Sequence, residues 1–351
     1  MRDLNWERFE TYLNDKMKIE NIPGVAVGVS INGKTVYKTG FGYKNVEANE
    51  PMTPDTICGI ASITKSFTAL AILMLEEEGL LFVKDPVINY LPEFEIKGID
   101  NMSEIKVHHL LTHTTGLSPL ERNEDLNKFS EHLDYIKSQS NDIIGKPGEK
   151  FNYCNDTFLL LGAIIEKLTG KLYRRHITDV LLNKLKMYRS TMSLEEIDKL
   201  DNVSTLYNLS PEQKELVQTS WLKLGNYEVG GGIRSTVTDL LKYGNLFVNK
   251  GYLNGERLIS YENLKKMWDK HIKIADNSYY GNAFVITPDY NGLTLVDHGG
   301  GQPGVSSIFG FIPEKGIVIT VLCNVKGIRV DHIWIKAINT VLDLPFESSR
   351  D

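Results

Sequence analysis

Ser62 and Lys65 stand three residues apart in the stretch GIASITKSFTALAILMLEEEG, Gly59 to Gly79. At a helix start this spacing puts two side chains on one face, so an amine reaches a hydroxyl and serves as its base. A serine activated in this way attacks a carbonyl carbon and carries the acyl group as an ester. By itself the pair is a weak sign, because a helix cap followed by a solvated lysine has the same letters. The residues after Lys65 narrow the choice. Phe67, Ala69, Leu70, Ala71, Ile72, Leu73, Met74 and Leu75 leave no polar stripe, which predicts a helix covered on every side. Burial and the positive helix end both oppose a proton on Lys65, so the amine is expected to be neutral part of the time.

Two further stretches carry groups of the same kind. In PGEKFNYCN, Pro147 to Asn155, an extended backbone points Tyr153 and Asn155 to one side and Cys154 to the other. That pairs a phenol with an amide and leaves Cys154 as a small buried side chain. In VDHGGGQPG, Val296 to Gly304, Gly299, Gly300 and Gly301 follow a strand and remove all side chains where another backbone would approach. A substrate lying along that edge would be held by main-chain hydrogen bonds. His298, taken alone, is more often structural than catalytic. His108, His109 and His113 invite a metal reading, but carboxylates or cysteines at ligand spacing are missing around them, so no metal is expected.

The surrounding elements must bring these stretches together. The start, through Trp6, Phe9, Leu13 and Met17, reads as an amphipathic helix rather than a signal peptide. Gly24 to Ser30 and Lys34 to Phe41 alternate around Asn32-Gly33, a strong hairpin signal. Ser103 to Gly116 reads as a short helix closing in a turn. Leu159 to Leu168 and Asp239 to Phe247 carry helical periodicity, and Gly230-Gly231-Gly232 breaks the chain between them. Strand patterns return at Tyr280 to Ile286, Leu293 to His298, Ser306 to Ile312 and Ile317 to Leu322, before a last helix, Asp331 to Leu342. Strands at both ends with helices between them predict an α/β fold of the α+β type. One central antiparallel sheet, from 1–84 and 272–351, is flanked by terminal helices, and 85–271 forms an inserted, mostly helical domain. The polar stretches Ser118 to Ile144 and Asp198 to Asn226 are expected to fold over the groove between the two.

Composition bounds the function classes. The chain has 351 residues, 42% of them hydrophobic and 24% charged, as in an ordinary globular protein. A net charge of -6 and a pI near 5.8 argue against nucleic-acid or anionic-membrane partners. No run is long and uncharged enough to span a bilayer. Three scattered cysteines, Cys58, Cys154 and Cys323, fit a reducing compartment, and the expectation is a cytoplasmic protein.

Ser62-Ile-Thr-Lys65, Tyr153-Cys-Asn155 and His298-Gly-Gly300, in this order, resemble the three active-site motifs of the serine β-lactamase and penicillin-binding-protein superfamily. The likeness is to its class C-like branch of esterases, D-aminopeptidases and DD-peptidases. HHLLTHTTGL, GGIRSTVTDL and the IPG before the first strand are similar to that branch's connecting segments. The resemblance implies a β-lactamase/transpeptidase-like fold with the site between sheet and helical domain. It also implies Ser62 as the acylated nucleophile, Lys65 as an aid to its deprotonation, Tyr153 as general base and acid, and Asn155 as a positioner of Lys65 and the substrate amide. The N–H groups of Ser62 and Gly301 would form the oxyanion hole. The motif version with Ser-Asp-Asn and Lys-Thr-Gly has a lysine where this chain has His298. An unperturbed histidine is charged only below about 6.5, so turnover of carboxylate-bearing substrates is expected to fall as pH rises through neutrality. The resulting expectation is a serine hydrolase without cofactor or metal, acting on small esters, amides or short peptides. A β-lactamase or DD-peptidase, and a non-catalytic recognition module, are the alternatives.

Overall fold

Residues 4–140, 142–212 and 215–349 are described by the computed structural model. Met1–Asp3 of the expected first helix, Asn141, Gln213 and Lys214 of the two polar stretches, and Arg350–Asp351 lie outside the described residues. After α1 (Glu7–Ile19), β1 (Gly24–Ile31) and β2 (Lys34–Asn45) form the expected hairpin. Asn32 and Gly33 both take positive φ, 49° and 78°, as the mirror-image turns favoured by Asn-Gly require. β3 (Glu50–Pro51) pairs with β2 at the edge. The C-terminal part supplies β4 (Ile272–Ala275), β5 (Ser278–Tyr280), β6 (Val285–Tyr290), β7 (Leu293–Gln302), β8 (Val305–Ile312) and β9 (Ile317–Cys323). Among the described residues these make a nine-stranded sheet in the order β4-β5-β6-β7-β8-β9-β1-β2-β3, with antiparallel neighbours. The two chain ends meet at β9 and β1.

The expected strand Tyr280 to Ile286 is in fact two strands separated by a turn. Ala283 takes a φ of 64°, the Gly281 N–H bonds the Phe284 carbonyl, and Asn282 Nδ2 donates to the Lys266 carbonyl. Ala283 and Phe284 are nonetheless fully buried, so the apolar letters read as strand while the backbone turns. A second difference is at the glycines. β7 does not stop at His298 but runs to Gln302, with Gly299, Gly300 and Gly301 paired to Ile308, Ser307 and Ser306 of β8.

Both sheet faces are covered, so β8 and β9 are buried along their whole lengths rather than alternating. Val25, Val27, Val29, Ile319 and Val321 pack with Phe9 and Leu13 of α1 and with Ile333, Trp334 and Ile338 of α6 (Val330–Leu342). On the opposite face Ala26, Phe309, Val318 and Leu322 join a larger core with α2 (Thr64–Glu77) and α5 (Val237–Val248). α5 falls within the stretch expected in the helical insertion, yet it lies on the sheet. Contact is so close that a β-carbon on Gly28 would stand 2.3 Å from Val237, and one on Gly244 2.2 Å from Val318. Beyond α2 the helical part is led by α3 (Asn155–Thr169), ending at Gly170 in the left-handed conformation that glycine favours. The glycine run expected to break the chain forms a single helical turn, α4 (Glu228–Gly231). Among the described residues no helix is long and apolar enough to cross a membrane.

The sheet touches the reactive end of α2 at one point. A β-carbon on Gly300 would lie 2.3 Å from the Ile60 carbonyl and 2.3 Å from Ser307 Oγ, whereas one on Gly301 would meet no atom within 4 Å. Gly300→Ala should therefore lose about 1–3 kcal/mol in thermal melts, as overpacked sites do. Gly301→Ala should melt close to wild type. Equal losses from the two would refute this description of the contact.

Candidate active site

Ser62 sits in a 3-10 turn, Ala61–Ile63, that leads into α2. Ala61 takes a φ of 45°, a left-handed conformation that costs a residue with a β-carbon energy and persists only where the surroundings enforce it. The surroundings do so. The Ile60 N–H bonds the Ile233 carbonyl at 3.1 Å, and Ser307 Oγ donates to the Ile60 carbonyl at 2.9 Å. The turn is thus held between β8 and the segment after α4.

Lys65 lies in the first turn of α2 and is fully buried. Its Nζ is 3.3 Å from Ser62 Oγ and donates to the Gly230 carbonyl at 2.9 Å. The motifs do not point to this carbonyl. A β-carbon on Gly230 would come within 2.8 Å of Nζ, so a larger residue there would shift the amine. Burial, and then the positive charge of Arg122, bring the Lys65 pKa down to about 7, with Cys154 opposing slightly. The expected neutral fraction is therefore substantial near pH 7.

Tyr153 and Asn155 come from the extended approach to α3, as expected, with Cys154 turned inward and buried. The Tyr153 ring lies 4.9 Å from Lys65 Nζ. Burial raises its pKa and the nearby Ser62 hydroxyl only partly offsets this, so the phenol keeps its proton. Among the described residues no group meets the buried Tyr153 hydroxyl in good hydrogen-bond geometry. Asn155 Oδ1 is 3.7 Å from where a Gly230 β-carbon would stand, so the second motif reaches the same peptide that receives Lys65. β6 leaves β7 after the pair Val285 and Asp297, so among the described residues Gly299–Gly301 have a strand partner on one side only. The open side is the edge along which a substrate backbone could lie.

His298 departs from the expectation. Burial, then Lys65, push its pKa down to about 4, although the Gly299 carbonyl works the other way. The charge loss expected across neutrality therefore belongs well below it. The neutral ring is fully engaged: Nδ1 is 2.6 Å from the Gly299 carbonyl and Nε2 3.0 Å from Tyr280 Oη. A carbonyl only accepts, so Nδ1 carries the proton and Nε2 accepts from Tyr280.

A family model described as Beta-lactamase matches residues 9–339. The chain belongs to the Beta-lactamase family. Among solved structures, the octameric penicillin-binding protein homologue from Pyrococcus abyssi superposes with a TM-score of 0.89 at 33% identity, covering 98% of this chain and 79% of that one. A class C beta-lactamase gives a TM-score of 0.79 at 24% identity, covering 96% and 95%, a likeness of fold alone. The human serine beta-lactamase-like protein LACTB, mitochondrial, is 26% identical over 436 positions, covering 94% of this chain and 77% of that protein. Protein flp of Staphylococcus aureus (strain MW2) is 34% identical over 188 positions, 53% of this chain and 38% of its own length. All three motif stretches lie inside the segment matched by the family model.

In this Beta-lactamase-family chain His113 has a place that its neighbours in sequence do not announce. Its φ is 54°, its carbonyl receives the Asn152 N–H at 2.8 Å, and its Nδ1 receives the Cys154 N–H at 3.2 Å. The ring lies 4.2 Å from that of Tyr153. It therefore backs the tyrosine and fixes the backbone on both sides of it. Burial, then Lys65 and His298, hold His113 neutral. His108 and His109 face elsewhere, bonding the Val83 carbonyl and the Lys106 N–H. Among the described residues no three His, Cys, Asp or Glu side chains gather as a metal site would require. Tyr280, His113 and Gly230 carry no local signal because each touches the motifs only through the fold.

The titration of Lys65 is the testable consequence. Facing it are the Arg122 guanidinium; His113 and His298, which burial holds neutral around pH 7; and Tyr153 and Cys154, whose protons burial retains. A single group titrating with a midpoint near 7 is expected when the folded protein is followed by NMR with labelled lysine. The folded state binds this proton less tightly than the unfolded chain, so stability should rise with pH from about 7 to the ordinary lysine value near 10.4. Lys65→Met should melt several degrees higher than wild type at pH 7, with the gap closing over that window. A Lys65 midpoint at the ordinary value would contradict this account.

Proposed function

We propose that the chain is a serine hydrolase that works through an acyl-enzyme on small esters, amides or short peptides, with D-amino-acid-containing peptides a candidate natural class. One observation carries the reading: Ser62 Oγ lies 3.3 Å from a fully buried amine whose pKa is near 7. Neutral Lys65 accepts the Ser62 proton as Oγ bonds to the substrate carbonyl carbon. Tyr153, which keeps its proton at rest, gives that proton to the leaving oxygen or nitrogen and is recharged from Lys65. The Ser62 and Gly301 N–H groups stabilise the oxyanion. Water then attacks the ester on Ser62, and the same two groups carry its proton. Asn155 orients the substrate amide, and Gly299–Gly301 offer it a bare strand edge. Cys58, Cys154 and Cys323 are free and buried, which supports a reducing compartment and, as we read it, the cytoplasm.

The β-lactamase and DD-peptidase alternatives ask for a cation beside the third motif, and His298 is neutral there over the working range. A panel of p-nitrophenyl esters, p-nitroanilides of D- and L-amino acids and a chromogenic cephalosporin, with Ser62→Ala as the blank, tests the reading. Turnover of esters or anilides that vanishes in Ser62→Ala is expected, with a loss of about a thousandfold or more. Efficient cephalosporin hydrolysis would favour the alternative, and a silent panel the non-catalytic module. Tyr153→Phe retains the ring and should fold normally while turnover drops about a hundredfold to ten-thousandfold.

A further inference from the structure

If His298 carries no charge, an anionic group on the substrate needs another partner. The chain between α2 and α3 supplies one. The chain from Leu120 to Leu126 is fastened at both ends to the segments that build the site. At one end the Leu120 N–H bonds Asp156 Oδ2 at 3.0 Å, beside Asn155 at the start of α3, and Tyr135 Oη bonds the Glu121 carbonyl at 2.6 Å. At the other the Asn226 N–H bonds the Leu126 carbonyl at 3.1 Å, and a β-carbon on Gly225 would stand 2.4 Å from the Glu124 carbonyl. Between these anchors the Arg122 guanidinium lies 4.4 Å over the ring of Tyr227, whose hydroxyl bonds Asp156 at 2.6 Å. Tyr227 directly precedes α4, the turn that carries the Gly230 carbonyl. Arg122 is thus set between the two segments that contribute Tyr153, Asn155 and Gly230, and it is the charge that Lys65 feels most.

From this placement we propose that Arg122 reads a carboxylate on the substrate, making esters or amides with one carboxylate a preferred class for the Ser62 site. The proposal rests on the hydrolase reading above. The guanidinium is 42% exposed and its ion partner Glu124, at 2.9 Å, is 37% exposed. Exposed pairs of this kind hold weakly, so an incoming carboxylate can take the place of Glu124. The guanidinium carbon lies 4.4 Å over the Tyr227 ring, and once Glu124 is displaced its forked N–H donors can bind both carboxylate oxygens. The carboxylate would then lie beside Tyr227 and α4 rather than at His298.

Two substrate series test this. 4-Nitrophenyl glutarate against 4-nitrophenyl pentanoate puts the charge on the acyl side, and 4-acetoxybenzoate against 4-acetoxybenzamide puts it on the leaving side. The quantity read is the charged-to-uncharged ratio of kcat/KM. In at least one series Arg122→Gln should lower the ratio about tenfold, the loss of a charge-assisted hydrogen bond. Glu124→Gln, which removes the competitor, should raise it, an outcome that a merely structural Arg122 would not produce. Ser62-dependent turnover with both ratios unmoved in Arg122→Gln overturns the proposal and leaves the hydrolase reading intact. If instead no ester is turned over, the hydrolase reading has failed, and calorimetric binding of glutarate to Ser62→Ala decides separately. Weakening of about tenfold on adding Arg122→Gln supports carboxylate recognition, and unchanged or absent binding overturns it.

Discussion

A lysine amine sealed from water beside a serine is the constraint on which the rest of this structure depends. An ammonium ion in that position would be costly, and the protein meets the cost by lowering its pKa and by giving Nζ one good acceptor, the Gly230 carbonyl. The acceptor is useful only if its peptide cannot drift. Thr68 Oγ1 donates to the Val229 carbonyl at 2.7 Å and bonds Tyr173 Oη at 2.7 Å, and Thr64 Oγ1 receives the Ile233 N–H at 3.1 Å. These ties from α2 span both ends of α4. The helix thus carries both the base and the side chains that lock the base's acceptor in place.

The nucleophile is fixed from the opposite direction. Its turn is pressed against bare backbone at Gly300, with a strained Ala61 on the approach, and the sheet behind it is buried on both faces. A turn on such support has little freedom to relax. Stacking of Phe67 on Tyr243 at 3.8 Å, with Tyr243 Oη bonded to Ser66, joins α2 to α5 and through it to the sheet. Sheet, central helix and helical wall therefore meet at the residues from Ile60 to Thr68, and Ser62 lies in the middle of that run.

Electrostatically the site separates two tasks. The rings around Lys65, His113 and His298, are kept neutral by burial; His298 spends both nitrogens on the Gly299 carbonyl and Tyr280, and His113 spends Nδ1 on the Cys154 N–H. They shape the site without adding charge to it. The charge that acts most on Lys65 is that of Arg122, whose guanidinium is partly exposed to solvent. That charge lowers the Lys65 pKa from a partly exposed position, whereas a charge on β7 would be buried.

Local letters determined much of this protein. The Asn-Gly turn, the unbroken apolar run of α2, the helices α3, α5 and α6, and the three short motifs are each written in residues close in sequence, where backbone preference and periodicity act directly. The same locality explains the failures. Apolar Ala283 and Phe284 satisfied the pattern of a strand, but a left-handed residue turned the backbone there, and the strand letters stopped at His298 although β8 pairs with Gly299–Gly301 as well. Tertiary structure alone decided that Gly230 receives Lys65, 165 positions away, that His113 backs Tyr153, that Tyr280 sets the proton on His298, and that the Arg122 guanidinium lies over Tyr227 beside α4. Contacts across such separations leave no periodic trace, because any residue of the right size or charge at either end would look the same until the fold brings the two together.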